Sequence, residues 1–541
     1  MVIVKKNQKK SNYSLLILLI TAVLNLFYGC SEDSNVVDSG KNGSSIEYSE
    51  PTRLLGSPYP ASSKPDTLYI IEDPNFTDSQ LITIQSLQGL LAQTKPRIYR
   101  LSPGSYSDWL YDLKSNYGVK TIYTYSADFE GLLKHFKNEI DGYILTKPGQ
   151  TSIHYAFSLA GLVNSIVVLD NDEAIIKETG ISLTEDVRNK PYEDFITRYG
   201  DQVNKDFLCY QTASKAKFLS DYAVFGKGFF FYDGIRSSLT SKVFSEMNNN
   251  AVLLGWGTSE DQLVEVASSN AIIVDAADWV VNLSTLSNFG VDTKQLNYNN
   301  NPDVLEKVHT VCFLMTDGDN IQWTVGGFKE GSNWYGSPNR KKANIGWTMA
   351  PALTELAPTV LKKFYDTAGR EKGGKDYFVA GPSGMGYIFP DQYSDLENFA
   401  VKTAEYMKKA DMRILNIIGT TVKEDYLKPF LEQEQIDAIF FYYYYSYVGG
   451  EGNIYWVNDK PVITGRYQLW GGEFDGPETL ADKINIMSKD ITYSKAYSLI
   501  PVHVWTESVD DVLTTINHFD DNVRVVTPDE FVALIRKNIQ H

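Results

Sequence analysis

The sequence predicts an α/β protein, with a C-terminal (β/α)8-like barrel of the TIM type preceded by smaller α/β domains. From Thr67 onward, short β-branched and aromatic runs alternate with amphipathic stretches of helix length, which is typical of parallel strands joined by helices. Between residues 301 and 541 eight such runs follow one another, although a seven-stranded or distorted barrel would produce the same series. They lie near 309–315, 343–347, 376–381, 412–418, 436–442, 461–466, 497–504 and 523–526.

The first 29 residues have the pattern of an export signal. A lysine-rich start precedes an apolar run from Leu15 to Leu24, which is shorter than the ~20 residues that span a bilayer. Cys30 directly follows Leu26-Phe27-Tyr28-Gly29, which resembles a bacterial lipobox. We therefore expect residues 1–29 to be a lipoprotein signal peptide and Cys30 to carry a lipid that anchors an exported protein to the outer membrane, at the cell surface. Plain cleavage or an uncleaved anchor is the alternative.

The mature chain divides by composition into three parts. Residues 30–65 are rich in Ser, Gly, Asn and Pro and lack periodic apolar residues, which predicts a flexible tether. Residues 66–300 contain strand runs such as 142–145 and 165–169 and predict an N-terminal α/β region of two or three lobes. Residues 301–541 are predicted to form the barrel-like catalytic domain.

Composition limits the class of partner. The formal net charge of −17 argues against nucleic acid, because phosphates are bound chiefly by Lys and Arg. The chain has 35 Tyr, 26 Phe and 9 Trp, and such side chains suit ligands with apolar faces and hydroxyl edges, such as poly- or oligosaccharides. The six histidines show no HExxH or His-x-His spacing, so no sequence-local zinc site is predicted, and we expect no cofactor.

The first run of the predicted barrel leads into a candidate catalytic turn. Functional residues of such barrels follow the carboxyl ends of strands, and here Asp317 and Asp319 flank Gly318 directly after the strand. Two close carboxylates repel, so one of them should hold a proton at neutral pH, as a general acid must. An Asx-type turn that caps the next helix, or a cation site unlike an EF-hand, would use the same residues.

For the sugar ligands that the aromatic composition favours, cleavage of a glycosidic bond would need a second carboxyl group on the other side of the bond. Glu473 and Glu451 are the candidates, because each lies in a Gly-rich loop after a strand and beside aromatic residues. Candidate substrate-binding residues lie on the same or neighbouring loops, although each could instead belong to the core: Asn320, Trp323, Arg340, Trp347, Trp470, His503 and Trp505.

A glycine-rich loop follows the third run. The segment 384–390, Gly384-Met385-Gly386-Tyr387-Ile388-Phe389-Pro390, lacks the third glycine of a dinucleotide-binding turn. Met385 also stands where a nucleophile elbow built on Ser383 requires glycine. We expect Gly384 and Gly386 to let the backbone approach a ligand, with Tyr387 at the edge of a cleft.

These seven residues resemble the signature of the GxGYxYP family, whose members are assigned as glycoside hydrolases, with Phe389 in place of the second Tyr. Segments 317–320, 345–351, 278–284 and 525–528 also resemble that family. The resemblance implies smaller N-terminal domains ahead of the domain with the signature, in secreted or lipid-anchored proteins. It implies a glycoside hydrolase acting on extracellular carbohydrate. A carbohydrate-binding surface lipoprotein without catalysis and a hydrolase similar to polysaccharide deacetylases are the alternatives.

Overall fold

The N-terminal region contains three small, entirely parallel sheets, one in each of three lobes. A computed structural model describes residues 48–123, 128–149, 151–298, 306–471 and 476–541. In the first lobe the strand order is β2-β1-β3, in the second it is β5-β4-β6, and in the third it is β10-β9-β7-β8. The strands are β1 Thr67–Glu72, β2 Ile98–Leu101, β3 Lys120–Ile122, β4 Gly142–Thr146, β5 Ser165–Leu169, β6 Leu183–Asp186, β7 Asn204–Tyr210, β8 Gly228–Phe231, β9 Ala251–Gly255 and β10 Ile272–Asp275.

Helices cover these sheets, and one of them connects the lobes. The helix Asp78–Ala92 begins with a capping box formed by Thr77 and Gln80, and nearly all of its residues are buried. It packs against β5 of the second lobe and against the helix Ser220–Gly226 of the third. The other helices of this region are Tyr106–Tyr117, Phe129–Phe136, Ser152–Ala160, Glu173–Glu178, Tyr192–Tyr199, Ser238–Glu246, Glu260–Ser269 and Leu283–Leu286.

Residues 48–65 are not the free tether that the composition predicts. Ser49 forms an antiparallel bridge with Gly290, and the guanidinium group of Arg53 donates hydrogen bonds to the carbonyls of Tyr59, Pro60 and Ser287. The sequence of this segment resembles a linker because it has no periodic apolar pattern. Its backbone is nevertheless hydrogen-bonded to the rest of the protein.

The C-terminal region is a curled sheet in which each of the eight predicted runs overlaps a strand. The strands are β11 His309–Met315, β12 Ile345–Met349, β13 Arg370–Glu371, β14 Gly374–Ala380, β15 Ile414–Gly419, β16 Ala438–Tyr443, β17 Ile454–Val457, β18 Lys460–Thr464, β19 Tyr497–Val502 and β20 Val523–Val525. The order is β17-β18-β16-β15-β14-β12-β11-β19, and β13 and β17 are short antiparallel additions. The helices are Ile321–Gly326, Leu353–Leu356, Pro358–Thr367, Leu396–Lys409, Glu424–Leu431, Pro477–Asn485, Val509–Asn517 and Pro528–Asn538.

This sheet departs from a regular (β/α)8 barrel at its last strand. In a regular barrel the eighth strand lies between the seventh and the first. Here β19 pairs directly with β11 along residues 310–315. Strand β20 pairs only with residues 309–311 of β11, on the opposite edge, where β12 pairs with residues 314 and 315. Beyond β18, the backbone N–H of Arg466 donates to Leu499 of β19, which draws the far edge of the curled sheet toward β19.

The core contains both cysteines of the described chain, Cys209 and Cys312, as buried free thiols. Within the residues that the structure describes, no helix combines the length and the apolar character needed to cross a membrane.

Candidate functional site

The turn after β11 presents Asp317 at the carboxyl end of the curled sheet. Asp317 has left-handed backbone geometry, with φ of 64°. A side chain at Gly318 would collide with the carbonyl oxygen of Thr348, so the turn needs glycine there. The indole Nε1–H of Trp505 donates to Asp317 Oδ1 at 3.0 Å, and the Thr316 hydroxyl donates to Oδ2. These two donors hold the carboxylate in place.

Asp319 lies deeper in the same turn. Burial and the negative charge of Asp317 raise the pKa of Asp319 to about 8, although a hydrogen bond from Thr348 opposes the shift. A Cβ atom at Gly381 would lie 2.8 Å from Asp319 Oδ1, so the glycine after β14 makes room for this carboxyl group. The next helix, Ile321–Gly326, begins at Asn320 without a side-chain cap, so the turn does not serve the capping role that was the alternative.

A wall of tryptophan rings lies beside Asp317. Trp505 is 49% exposed and stacks on Trp323, with ring centroids 3.9 Å apart and an interplanar angle of 15°. Trp334 packs edge-on against Trp323 at 4.2 Å, and its indole N–H donates to the carbonyl of Val504. The exposed indole of Trp505 is therefore rigidly supported.

A second aromatic group continues this surface. His503 stacks on Trp470 with centroids 3.8 Å apart, and burial lowers the pKa of His503 although the charge of Asp317 opposes the shift. Tyr447 packs edge-on against Trp470 at 5.1 Å. The structure thus brings Trp323, Trp470, His503 and Trp505 together beside the aspartates.

The third lobe contributes a carboxyl group that sequence reasoning missed. Glu260 begins the helix after β9, and the Tyr387 hydroxyl donates to its Oε1 at 3.1 Å. Burial and the charge of Asp317 raise the pKa of Glu260 to about 7. The available signal was the segment Gly255-Trp256-Gly257, a Gly-rich loop after a strand and beside an aromatic residue, which is the pattern that favoured Glu451 and Glu473. We call Asp317, Asp319 and Glu260 the acidic cluster.

The glycine-rich segment 384–390 joins the third lobe to the curled sheet. Tyr387 and Val274 of β10 form an antiparallel bridge, with Tyr387 N–H donating to Val274 at 2.8 Å. Gly384 has φ of 105° and packs against Thr403, and a Cβ atom at Gly386 would lie 2.5 Å from Ile273. Gly384 and Gly386 therefore face protein and not a ligand, which corrects their assignment as substrate-binding residues. Tyr387 is 8% exposed and acts on the site through Glu260.

Three further predicted site residues lie elsewhere. Trp347 is fully buried and Arg340 is 6% exposed, and both bind the carboxylate of Asp376 in the core. Glu451 is exposed. The guanidinium group of Arg466 donates hydrogen bonds to the backbone carbonyl of Glu451 and to that of Tyr497, at the amino end of β19. These placements contradict roles at the carboxyl end of the sheet.

The remaining predicted residues are Asn320, Glu473 and Cys30. Asn320 is partly buried next to the aspartates, and in the described part of the chain its side-chain oxygen has no hydrogen-bond partner. Glu473 and Cys30 lie outside the described residues. Within the described ranges, no group of three or more His, Cys, Asp and Glu side chains is arranged to hold a metal ion.

Comparison with known proteins places the whole body of the chain in one family. Residues 307–536 match the "GxGYxYP putative glycoside hydrolase C-terminal domain", and 67–138, 140–203 and 205–288 match that family's first, second and third N-terminal domains. No curated protein matches the chain.

A solved structure shares the fold. The crystal structure of "a putative hydrolase from Bacteroides thetaiotaomicron VPI-5482" is 30% identical in sequence, with a TM-score of 0.81 over 88% of this chain and 96% of that chain. The matched domains and this likeness agree with the signature at 384–390, and the chain belongs to the GxGYxYP family.

Proposed function

We propose that the protein is a glycoside hydrolase that acts on extracellular carbohydrate, with Glu260 and Asp317 on opposite sides of the scissile bond. The observation that carries the proposal is the acidic cluster itself. Asp317 and Asp319 share one turn, so they cannot flank a bond from two sides, whereas Glu260 comes from another lobe and is still close enough to feel the charge of Asp317.

The three carboxyl groups differ in what they can do. Glu260, with a pKa of about 7, is suited to protonate the departing glycosidic oxygen near neutral pH. Asp317, held by Trp505 and Thr316, is the carboxylate that attacks the sugar or activates water. Asp319, with a pKa of about 8, stays largely protonated beneath Asp317 and limits the negative charge of the turn.

The aromatic wall supports a sugar as the ligand. The C–H face of a sugar ring stacks on an indole, and Trp505 presents a half-exposed indole whose N–H edge already contacts Asp317. A ring bound there lies next to the carboxylate. The fixed position of Trp505 means that little conformational entropy is lost on binding.

The test is a screen of the purified mature protein against polysaccharides and aryl glycosides, followed by variants at the acidic cluster. Asp317→Asn should lower turnover of every substrate by at least about 10²-fold. Glu260→Gln should lose activity on ordinary glycosides but retain activity on dinitrophenyl glycosides, whose leaving group needs no proton. Asp482→Asn, on an exposed helix position, is the matched control and should behave as wild type.

The screen also distinguishes a glycoside hydrolase from the main alternative, a carbohydrate-binding protein without catalysis. Sugar binding that survives in wild type, Asp317→Asn and Glu260→Gln, with no turnover in any of them, would identify a carbohydrate-binding protein. Full activity in both cluster variants would place catalysis elsewhere.

We also propose that Cys30 carries a lipid that holds the exported protein at the outer membrane. The support is the lipobox-like sequence before it. Cys30→Ser should leave the protein unlipidated and released from membranes on fractionation of cells. A Cys30→Ser variant that is processed and still sediments with membranes would contradict the anchor.

A further inference from the structure

Two tryptophan side chains differ from all the others in their exposure. The chain has nine Trp, all of them within the residues that the structure describes. Only Trp279 and Trp505 have about half of their surface exposed, 51% and 49% respectively. Because an indole is a large apolar ring that is usually well buried, an indole left in water is a candidate for ligand binding.

The two exposed indoles lie against the same short helix, Ile321–Gly326. Trp505 stacks on Trp323 of this helix. The side-chain oxygen of Gln322, the preceding residue, accepts a hydrogen bond from the backbone N–H of Trp279 at 2.9 Å. Successive residues of a helix point about 100° apart, so Gln322 and Trp323 face different sides. Trp279 and Trp505 therefore flank the helix that directly follows the aspartate turn.

The indole of Trp279 is held in place by its neighbours. Lys215 Nζ lies 4.3 Å from the centroid of the indole, and Phe218 packs against it with centroids 5.2 Å apart. The ammonium group of Lys215 also forms an ion pair with the buried carboxylate of Asp278, the residue before Trp279. A ring fixed in this way loses little conformational entropy when a ligand stacks on it.

The two indoles belong to the two sides of the proposed site. Trp279 follows β10 of the third lobe, the lobe that also provides Glu260. The hydroxyl of Tyr387 bonds to Glu260 while its backbone pairs with β10, so this carboxyl group is tied to the strand that leads to Trp279. Trp505 follows β19 of the curled sheet and donates to Asp317. Each of the two carboxyl groups thus has an exposed indole on its own side.

We propose that Trp279 is a second sugar-binding subsite, so that the substrate is an oligo- or polysaccharide with one ring on Trp505 and another on Trp279. This rests on the proposed glycosidase function and deepens it, because the two rings lie on opposite sides of the bond that is cleaved. The C–H face of a sugar ring suits an indole. Binding energy from the distant ring favours a chain of sugars over a glycoside of a single sugar.

The two exposed indoles can be followed separately by limited oxidation with N-bromosuccinimide and mass spectrometry of the peptides. The mature wild-type protein is treated alone, with each soluble polysaccharide of the screen and with the corresponding monosaccharide. A polysaccharide that protects Trp505 should also protect Trp279, whereas the monosaccharide should leave Trp279 as reactive as in the free protein. Oxidation of Trp279 at the free rate while a polysaccharide protects Trp505 would overturn the second subsite.

Kinetics of Trp279→Ala provide an independent test on a series of aryl glycosides of increasing chain length. KM for the longest should rise about tenfold with little change in kcat, because stacking on Trp279 stabilises ground state and transition state alike. The rise should grow with chain length. Tyr111→Ala removes a ring that is 71% exposed on a helix of the first lobe, and should leave both constants unchanged. An equal rise in KM at every chain length, or none at any, would remove Trp279 from substrate binding.

The outcomes also separate this proposal from the one it rests on. Protection of both indoles by a polysaccharide that the protein does not cleave would keep the two subsites and remove the glycosidase. Loss of turnover in Asp317→Asn, with Trp279 unprotected by the polysaccharide that is cleaved, would keep the glycosidase and remove the second subsite. Oxidation of both indoles that no polysaccharide slows would overturn the second subsite even if aryl glycosides are cleaved.

Discussion

Two carboxyl groups, one at each end of the curled sheet, have opposite electrostatic surroundings. Asp376, near the amino end of β14, receives the guanidinium group of Arg340, the indole N–H of Trp347 and the backbone N–H of Gly369. Asp319, beyond the carboxyl end of β11, instead feels the negative charges of Asp317 and Asp275. The first carboxyl group has a cation beside it, whereas the charges of Asp317 and Asp275 that act on the second have its own sign.

The difference shows which end of the sheet stabilises the fold and which end is suited to chemistry. An ion pair that is fully bonded in the core is destabilising to break, because the remaining partner is left as an isolated buried charge. A carboxyl group crowded by other carboxyl groups costs stability but acquires a pKa useful near neutral pH. The amino end of the sheet is therefore expected to be structural and the carboxyl end functional.

The largest effect is expected from Asp317→Asn, which should lower kcat/KM by about 10²- to 10⁴-fold on glycosides that the wild type cleaves. Its free energy of unfolding should stay the same or rise, because the charge of Asp317, which disfavours ionisation of Asp319 and Glu260, is removed. Steady-state kinetics and urea unfolding measure the two quantities. A sharp loss of stability would favour a structural role for the turn.

The reverse pattern is expected for Asp376→Asn. It should lower the free energy of unfolding by about 3–5 kcal/mol, because Arg340 would remain charged and buried without its partner. The folded fraction should keep its specific activity. Urea unfolding with activity corrected for folded protein tests this, with Asp482→Asn as control. If Asp376→Asn were as stable as the wild type, Asp376 and Asp319 would not differ in the way described above.

The pH dependence of activity should identify the acid. Glu260 has to be protonated to donate, so kcat/KM should fall about tenfold per pH unit above its pKa of about 7. On dinitrophenyl glycosides, whose leaving group needs no proton, the wild type should show no such limb, and Glu260→Gln, which cannot ionise, should show none either. A limb that persists unchanged in Glu260→Gln would assign it to another group, with Asp319 the next candidate.

The last prediction concerns stability against pH, where the effect per pH unit is small. The folded-state pKa of Asp319, about 8, lies above the ~3.9 of an unfolded Asp, so the folded protein binds more protons between these values. Stability should therefore fall as pH rises from about 4 to 8, by at most about 1.4 kcal/mol per pH unit from this group. Asp319→Asn should show a shallower decline in thermal unfolding between pH 5 and 8. Equal slopes would mean that Asp319 is ionised in the folded protein.

The site shows how far sequence reasoning reaches. Asp317 and Asp319 could be located because a buried strand that ends in a polar turn is a local pattern, and the carboxyl ends of parallel strands meet at one edge. His503 and Trp505 follow β19, the neighbour of β11, and could be placed by the same rule. Trp347, at the end of the second run, and Arg340, in the loop before that run, were also predicted to bind substrate but lie in the core, because a sequence pattern does not say which side of a strand is covered.

The sequence by itself determined the α/β class, the eight strand runs of the curled sheet, the family signature at 384–390 and the aspartate turn, since each depends on residues near one another along the chain. Only the tertiary structure decided the partner of that turn. Glu260 and Asp317 are far apart along the chain, with β10, the helix Leu283–Leu286 and β11 between them. Glu260 reaches the aspartates because Tyr387 pairs with β10 and bonds to the carboxyl group. The pairing of β19 with β11 and the side position of β20 were likewise decided in three dimensions. Strand order and lobe contacts depend on the packing of distant surfaces, which no local pattern of residues encodes.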